Sequence, residues 1–434
     1  MLLTSELLAI DGGPKAVPAP HDELFKWPII TEEDEAAVLT VLRSGKMSGL
    51  DITQKFEQEF AAWHGVPYAL AHNNGTASLH AAMWACGVGA GDEVIGPSLT
   101  YWASVMPALS LGASIVFADI ERESLTIDPD DIERKISPRT RAIVAVHYCG
   151  HPCDMDRIMA LARRHNIKVI EDVSHAQGAH YKGRLCGTIG DVAGISLMSG
   201  KSLACGEGGM LMTRDAQIYE RAIAFGHYER TGGASRYTNQ TSTLSDSDLS
   251  KYAGVPLGGF KYRMHQLSSA VGRVQLKHYA ARIKEIQKAM NRFWTLLEGV
   301  PGIYPHRIRT PHSDMGGWYN ALALYRAEEL GGTSLENFCN AVRAEGAPCH
   351  GGINSPLHRH PVFHDADIYR EGKPTMLANS RAEIDSRVRI GSLPVTESIS
   401  NCCLGVPWFK HDHAELIAQY AEAFKKVALR ARQG

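Results

Sequence analysis

The sequence contains no uninterrupted apolar run of the roughly 18 residues needed to cross a bilayer. It has no block of like charge either, since 45 Lys and Arg face 47 Asp and Glu for a formal net charge of −2. The first absence argues against a membrane-spanning protein. The second argues against a partner recognised through a nucleic-acid backbone or an anionic membrane surface. Paired cysteine spacings are missing as well. Nine cysteines, an odd number that includes the adjacent Cys402 and Cys403, suit reduced thiols in a cytoplasmic protein better than a disulfide framework. The apolar start carries Glu6, lacks a basic opening and runs into Asp11-Gly12-Gly13-Pro14, so it does not read as a signal peptide. His350, His358, His360 and His364 lie close together, but no zincin or cysteine-pair spacing frames them, and no metal site is expected. What remains is small-molecule chemistry, in a chain of 434 residues that suits a large domain plus a smaller one.

Between about residue 60 and 215, short β-branched or apolar runs begin at Tyr68, Glu93, Ser114, Ala142, Lys168, Gly194 and Met210, separated by helix-like stretches. That alternation predicts a mainly parallel sheet wrapped by helices. The stretch from Asp154 places Ile158, Leu161 and Ala162 on one face at helical spacing, with Asp154 able to cap it; it reads as a crossover helix. Thr231 to Lys251 is rich in Ser, Thr, Gly and Asp without a period, so a long surface loop is expected there. Helical periodicity returns from Tyr262 to Leu296, and after Pro301 the pattern changes to that of a small α+β domain ending in a helix from about Ala414.

Four stretches carry chemistry. In Ile195-Ser-Leu-Met-Ser-Gly-Lys201-Ser, one lysine sits among small and apolar residues after a strand; desolvation there favours the neutral, nucleophilic amine. The bland alternative is a lysine in a surface turn. Asp172 ends an apolar strand, where side chains of an open α/β sheet meet ligands, although a helix cap reads equally well. Asn74-Gly75-Thr76 opens a helix and could bind an anion on its free amides, or simply be a well-capped start. Tyr101 follows a strand and could stack on a planar ring, or belong to the core. A nucleotide-binding loop at Gly200-Lys201-Ser202 is set aside, because Gly194 and Gly200 enclose five residues where that loop needs four.

Taken in order, the phosphate turn, the aromatic, the strand-end aspartate and a lysine 29 positions later resemble the DegT/StrS family of fold-type-I pyridoxal-phosphate (PLP) enzymes, best known as keto-sugar and cyclitol aminotransferases. The resemblance runs from Trp27-Pro28 through Gly91-Asp92-Glu93-Val94-Ile95, Glu171-Asp172 with His175 and Gly178, Gly206-Glu207-Gly208-Gly209 and Phe260-Lys261-Tyr262-Arg263 to Pro356-Leu357-His358. It implies Lys201 as the Schiff-base lysine, Asp172 as the partner of the cofactor's ring nitrogen and His175 as the neighbour of its phenolic oxygen. Ser196, Gly75 and Thr76 would take the phosphate, Tyr101 would stack on the ring, and His358 would face the substrate. The family's Gly-Tyr-Asn-x-Arg motif reads Gly259-Phe260-Lys261-Tyr262-Arg263 here, so Lys261 stands where an asparagine reaches the phosphate of a neighbouring subunit.

The implied fold is α/β: an N-terminal segment 1–27, a large PLP-binding domain 28–296 with a mainly parallel seven-stranded sheet wrapped by helices, and a smaller α+β domain 297–434. The implied protein is a homodimer with shared active sites. It would move an amino group from Glu or Gln to a keto sugar, nucleotide-linked or not, or to a cyclitol, in polysaccharide or antibiotic biosynthesis. Relatives with histidine at the position of Lys201 are sugar dehydratases, so the lysine argues for transamination; a dehydratase or aromatising enzyme of the same family is an alternative that nothing local excludes. A non-catalytic PLP-binding regulator is the other alternative, but no helix-turn-helix or basic arm supports it. The loops 231–256 and 350–364, where specificity is expected, have no readable code for the ketone.

Overall fold

A computed structural model describes residues 7–232, 244–380 and 390–432. Each of the seven apolar runs forms a strand: β1 Tyr68–His72, β2 Glu93–Pro97, β3 Ser114–Ala118, β4 Thr140–Val146, β5 Lys168–Asp172, β6 Val192–Ser196 and β7 Gly209–Thr213. Nearly every residue of these strands is buried, as a sheet covered on both faces demands. The strand order is β1-β7-β6-β5-β4-β2-β3. From β6 to β3 the neighbours run parallel, while β7 is antiparallel to both β1 and β6. Val146, Asp172 and Gly194 therefore lie side by side across β4, β5 and β6. The parallel strands open their C-terminal ends on one edge, the place where an open α/β sheet receives its ligand.

Helices α1 (Glu32–Ser44), α2 (Asp51–His64), α3 (Gly75–Ala85), α4 (Met155–His165), α5 (Ala216–Gly226) and α6 (Gln266–Leu296) surround the sheet. In α4, Asp154 caps the start and Ile158, Leu161 and Ala162 are buried, as their spacing predicts. α3 lies deeper than any amphipathic pattern suggests, because β6 is bare beneath it: a Cβ on Gly194 would come within 2.7 Å of Leu79. Of the expected 231–256 loop, residues 233–243 lie outside the described residues, and the remainder includes one helical turn, Ser247–Ser250.

The four short strands β8 Ile303–Pro305, β9 Leu322–Tyr325, β10 His350–Gly351 and β11 Cys403–Gly405 form an antiparallel sheet in the order β8-β9-β11-β10. Helices α7 (Leu335–Ala344) and α8 (Ala414–Ala431) cover it. Its aromatic core joins Phe338, Phe409 and Phe424 to Phe293 and Trp294 from the far end of α6. The 31-residue α6, about 46 Å long at 1.5 Å per residue, thus begins against the large domain, where Gly272 admits the Phe56 ring, and ends inside the small one. Leu8, Val17 and Leu24 of the N-terminal segment belong to that same small-domain core. Glu345, fully buried, holds the segment through the amides of Ala9 (2.7 Å) and Ala16 (3.0 Å). Among the described residues no helix is long and apolar enough to cross a membrane.

Candidate active site

Beyond the C-terminal ends of β4, β5 and β6 lies a cavity of about 740 Å³ whose wall includes Gly75, Thr76, Tyr101, Asp172, His175, Ser196 and Lys201. Seven residues separated by up to 126 positions are thus brought together. Asp172 is 5% exposed. One of its oxygens accepts from the Ser104 hydroxyl (2.7 Å) and the other from the Ser174 amide (3.0 Å). No helix follows it, which removes the helix-cap reading. A carboxylate has about four acceptor sites, so two such bonds leave capacity for a donor in the cavity. The residue before it, Glu171, anchors the strand end by accepting the amides of Gly187, Ile189 and Gly190.

The phosphate turn is built from glycines. Asn74 caps α3 by accepting the Ala77 amide at 2.8 Å, which leaves the leading amides of Gly75 and Thr76 for an anion. A Cβ on Gly75 would sit 2.6 Å from the Ser196 Cβ, and one on Gly209 would sit 2.3 Å from the Asn74 carbonyl oxygen. Bare backbone at both positions lets the turn wedge against the ends of β6 and β7, which puts the Ser196 hydroxyl beside the helix start.

Lys201 is 7% exposed. Burial draws its pKa down to about 8, against the opposing pull of the nearby Asp172 and Cys149, so an appreciable fraction of the amine is neutral near physiological pH. The Trp27 indole N–H holds the Lys201 backbone carbonyl at 3.1 Å, and Nζ lies 4.0 Å from the centre of the Tyr319 ring. His175 accepts the Cys149 amide on Nδ1 (3.3 Å). Its burial pushes it well toward the neutral form, so Nε2 carries the ring proton. Tyr101 lies on the wall with 51% of its surface exposed.

Two expected residues are not on this wall. His358, expected to face the substrate, is a correction: it is buried outside the cavity lining, with Nδ1 and its amide on the Ser98 hydroxyl (2.6 and 3.1 Å) and Nε2 on Glu397 (3.1 Å). Two polar partners satisfy it as a packing residue. The histidine of that stretch on the wall is His350, whose ring packs so tightly on β11 that a Cβ at Gly405 would lie 2.0 Å from it. Lys261 is exposed and lines no part of the cavity in its own chain. Its neighbours Tyr262 and Arg263 are tied to Asn73 and His72, just before the phosphate turn. The small domain adds Tyr319, Asn320 and Asn354, which the sequence reading did not single out. For Tyr319 and Asn320 the local signal is Gly316-Gly317 ahead of an aromatic strand, which is also an ordinary turn.

Comparison with known proteins places the chain in a family. The profile of the DegT/DnrJ/EryC1/StrS aminotransferase family matches residues 28–411. The spore coat polysaccharide biosynthesis protein SpsC of Bacillus subtilis (strain 168) is 34% identical over 351 residues, 80% of this chain and 87% of that protein. GDP-perosamine synthase of Escherichia coli O157:H7 is 37% identical over 263 residues, 60% of this chain and 68% of that protein. The crystal structure of an aminotransferase from Psychrobacter cryohalolentis superposes with a TM-score of 0.73 at 28% identity, covering 93% of this chain and 98% of that one. The chain therefore belongs to the DegT/DnrJ/EryC1/StrS aminotransferase family and is a PLP-dependent aminotransferase.

Proposed function

We propose that the protein transfers an amino group from glutamate or glutamine to a ketone carbon of a nucleotide-linked sugar, using Lys201 and Asp172. The observation that carries this reading is a desolvated amine and a hydrogen-bonded carboxylate facing one cavity beside a helix start with spare amides. The donor set fits PLP. Gly75, Thr76 and Ser196 would hold the phosphate, Asp172 would accept the ring N–H, His175 Nε2–H would donate to the phenolic oxygen and Tyr101 would cover the ring. Bound there, PLP supplies an electron-withdrawing ring that stabilises negative charge developing on the substrate carbon. Lys201 would anchor the cofactor, and its free amine would take the proton from the donor's α carbon and return it on the other side of the transfer. Asp172 supplies a fixed negative charge throughout, and the buried wall keeps water from competing. The likeness to GDP-perosamine synthase supports a nucleotide-linked sugar as the first ketone to test.

A homodimer with composite sites belongs to the same proposal. Lys261 is exposed on a segment bonded to the strand just before the phosphate turn, and a neighbouring cavity of about 520 Å³ is bordered by Thr76 and by the exposed Trp102, Phe260, Ile368 and Tyr369. Exposed aromatic surface at such a rim suits a second copy of the chain. The test of function is incubation of the purified, PLP-loaded protein with Glu or Gln and a panel of nucleotide-linked keto sugars and keto-cyclitols, read by product mass. The expected result is one nucleotide-linked ketone converted to its amine. Amination of cyclitols alone would overturn the substrate class, and no amine from any pair would overturn the proposal.

A further inference from the structure

Residues 314–320 form a strap from the small domain whose backbone is under unusual constraint. Gly316, Trp318 and Asn320 all have left-handed φ, at +54°, +54° and +55°. For a residue as bulky as Trp318 this is costly, and it persists only where surroundings over-determine it. Here they do. The Gly316 amide donates to Asp314 (2.8 Å), the Gly317 amide to the Gln177 carbonyl (3.1 Å) and the Trp408 indole to the Gly317 carbonyl (2.9 Å). Asn320 donates to the Cys149 sulfur at 3.6 Å. A Cβ at Gly317 would lie 2.2 Å from the Ser202 hydroxyl, so the strap presses on the residue next to Lys201. Its alternating left-handed turns have one visible result: Tyr319 lies beneath the Lys201 amine, 4.0 Å from ring centre to Nζ, with His175 at 4.5 Å and tilted 34°, and Trp408 edge-on at 5.5 Å.

Among the described residues no carboxylate oxygen lies within 4.0 Å of Nζ. The ionisable groups facing it are Asp172 at longer range, the Cys149 thiol, which burial pushes up to about 12, the neutral His175 and the Tyr319 phenol, which burial raises. The Tyr319 ring centre, 4.0 Å from Nζ, presents an aromatic face, which attracts an ammonium through its quadrupole.

We propose that Tyr319 is a catalytic residue whose ring face seats the Lys201 amine while it is released from the cofactor, holding it in line for proton transfer. This rests on the aminotransferase reading and deepens it. A released lysine that swings freely loses the orientation that makes its proton transfer effectively unimolecular. An ion pair in that position would hold the proton too firmly, whereas a ring face favours the ammonium modestly and lets it discharge. The hydroxyl plays no part, so Tyr319→Phe should be equivalent to the natural residue and Tyr319→Leu should not.

Two measurements test this on the full-length protein. In the first, Lys201 in PLP-free protein is titrated by competitive labelling with acetic anhydride across neutral to alkaline pH, reading the Lys201 peptide by mass. Tyr319→Phe should match wild type, and Tyr319→Leu should move the midpoint down by on the order of half to one pH unit. In the second, PLP-loaded protein is mixed with Glu or Gln and no acceptor, and the cofactor absorbance is followed for one turnover. Tyr319→Leu should slow the change about tenfold or more and Tyr319→Phe by no more than about twofold. Tyr319→Met, which keeps bulk without a ring, should repeat the leucine result and decides the matter if the leucine variant does not fold. Unchanged midpoints and rates in the Leu and Met variants, or a Phe variant as slow as Leu, would overturn the seat. Failure of wild-type protein to attach PLP, or to respond to either donor, would instead overturn the aminotransferase reading, and the labelling experiment would still judge the seat.

Discussion

At Lys201, burial outweighs the nearby carboxylate and draws the amine from its ordinary 10.5 to about 8. The folded protein without cofactor therefore gives up this proton before the unfolded chain does. Between about pH 8 and 10.5 the unfolded chain holds more protons, so this group's contribution makes the cofactor-free fold more stable as pH rises through that window. The same shift sets the attachment of PLP: its rate should climb with a midpoint near pH 8, measured by visible absorbance in a buffer series, and a midpoint near 10.5 would mean a solvated amine. Lys201→Ala should abolish covalent attachment and amino transfer while PLP still binds reversibly, as equilibrium dialysis would show. Asp172→Asn keeps the shape facing Ser104 and Ser174 but removes the charge. Turnover should then fall on the order of 10²-fold or more while PLP affinity falls only modestly; equal turnover would reduce the residue to a structural support.

Among the elements, the phosphate turn offers the sharpest test. In Gly75→Ala the new methyl would lie 2.6 Å from Ser196, so the start of α3 must part from the end of β6. PLP affinity should drop about tenfold or more with little change in thermal midpoint, read by fluorescence titration and by calorimetry. The seven strands were legible because doubly covered parallel strands read as short, largely apolar runs, Asp172 because it ends such a run, and Lys201 because it is a lone charge among the small and apolar residues that follow one. The small domain's share of the site was not. Tyr319 and Asn320 reach the cavity through left-handed positions at Trp318 and Asn320, conformations that no side-chain pattern signals. His358 was misplaced for a related reason: in an irregular stretch nothing in the spacing tells which histidine turns inward, and Ser98 and Glu397, 260 and 39 positions away, decide it.

For the whole molecule, the composite dimer predicts complementation. Lys201→Ala and Lys261→Glu proteins, each inactive alone, should recover about a quarter of wild-type activity when mixed and re-equilibrated, because half the dimers are hybrids with one intact site of two. Sedimentation of the active enzyme as a monomer would rule this out. Trp27 carries a different consequence. It precedes the large domain, yet it grips the Lys201 carbonyl and packs beside Lys410, whose amide is bonded to Leu24. The segment behind it is stitched to Glu345 in the small domain. This stretch is a tie bar: residues 7–27 run from the small domain, at Glu345 and Lys410, to the loop that carries the lysine. A shortened protein beginning at Pro28 would keep every residue on the cavity wall, yet its reactive lysine would lose the indole that fixes its backbone carbonyl.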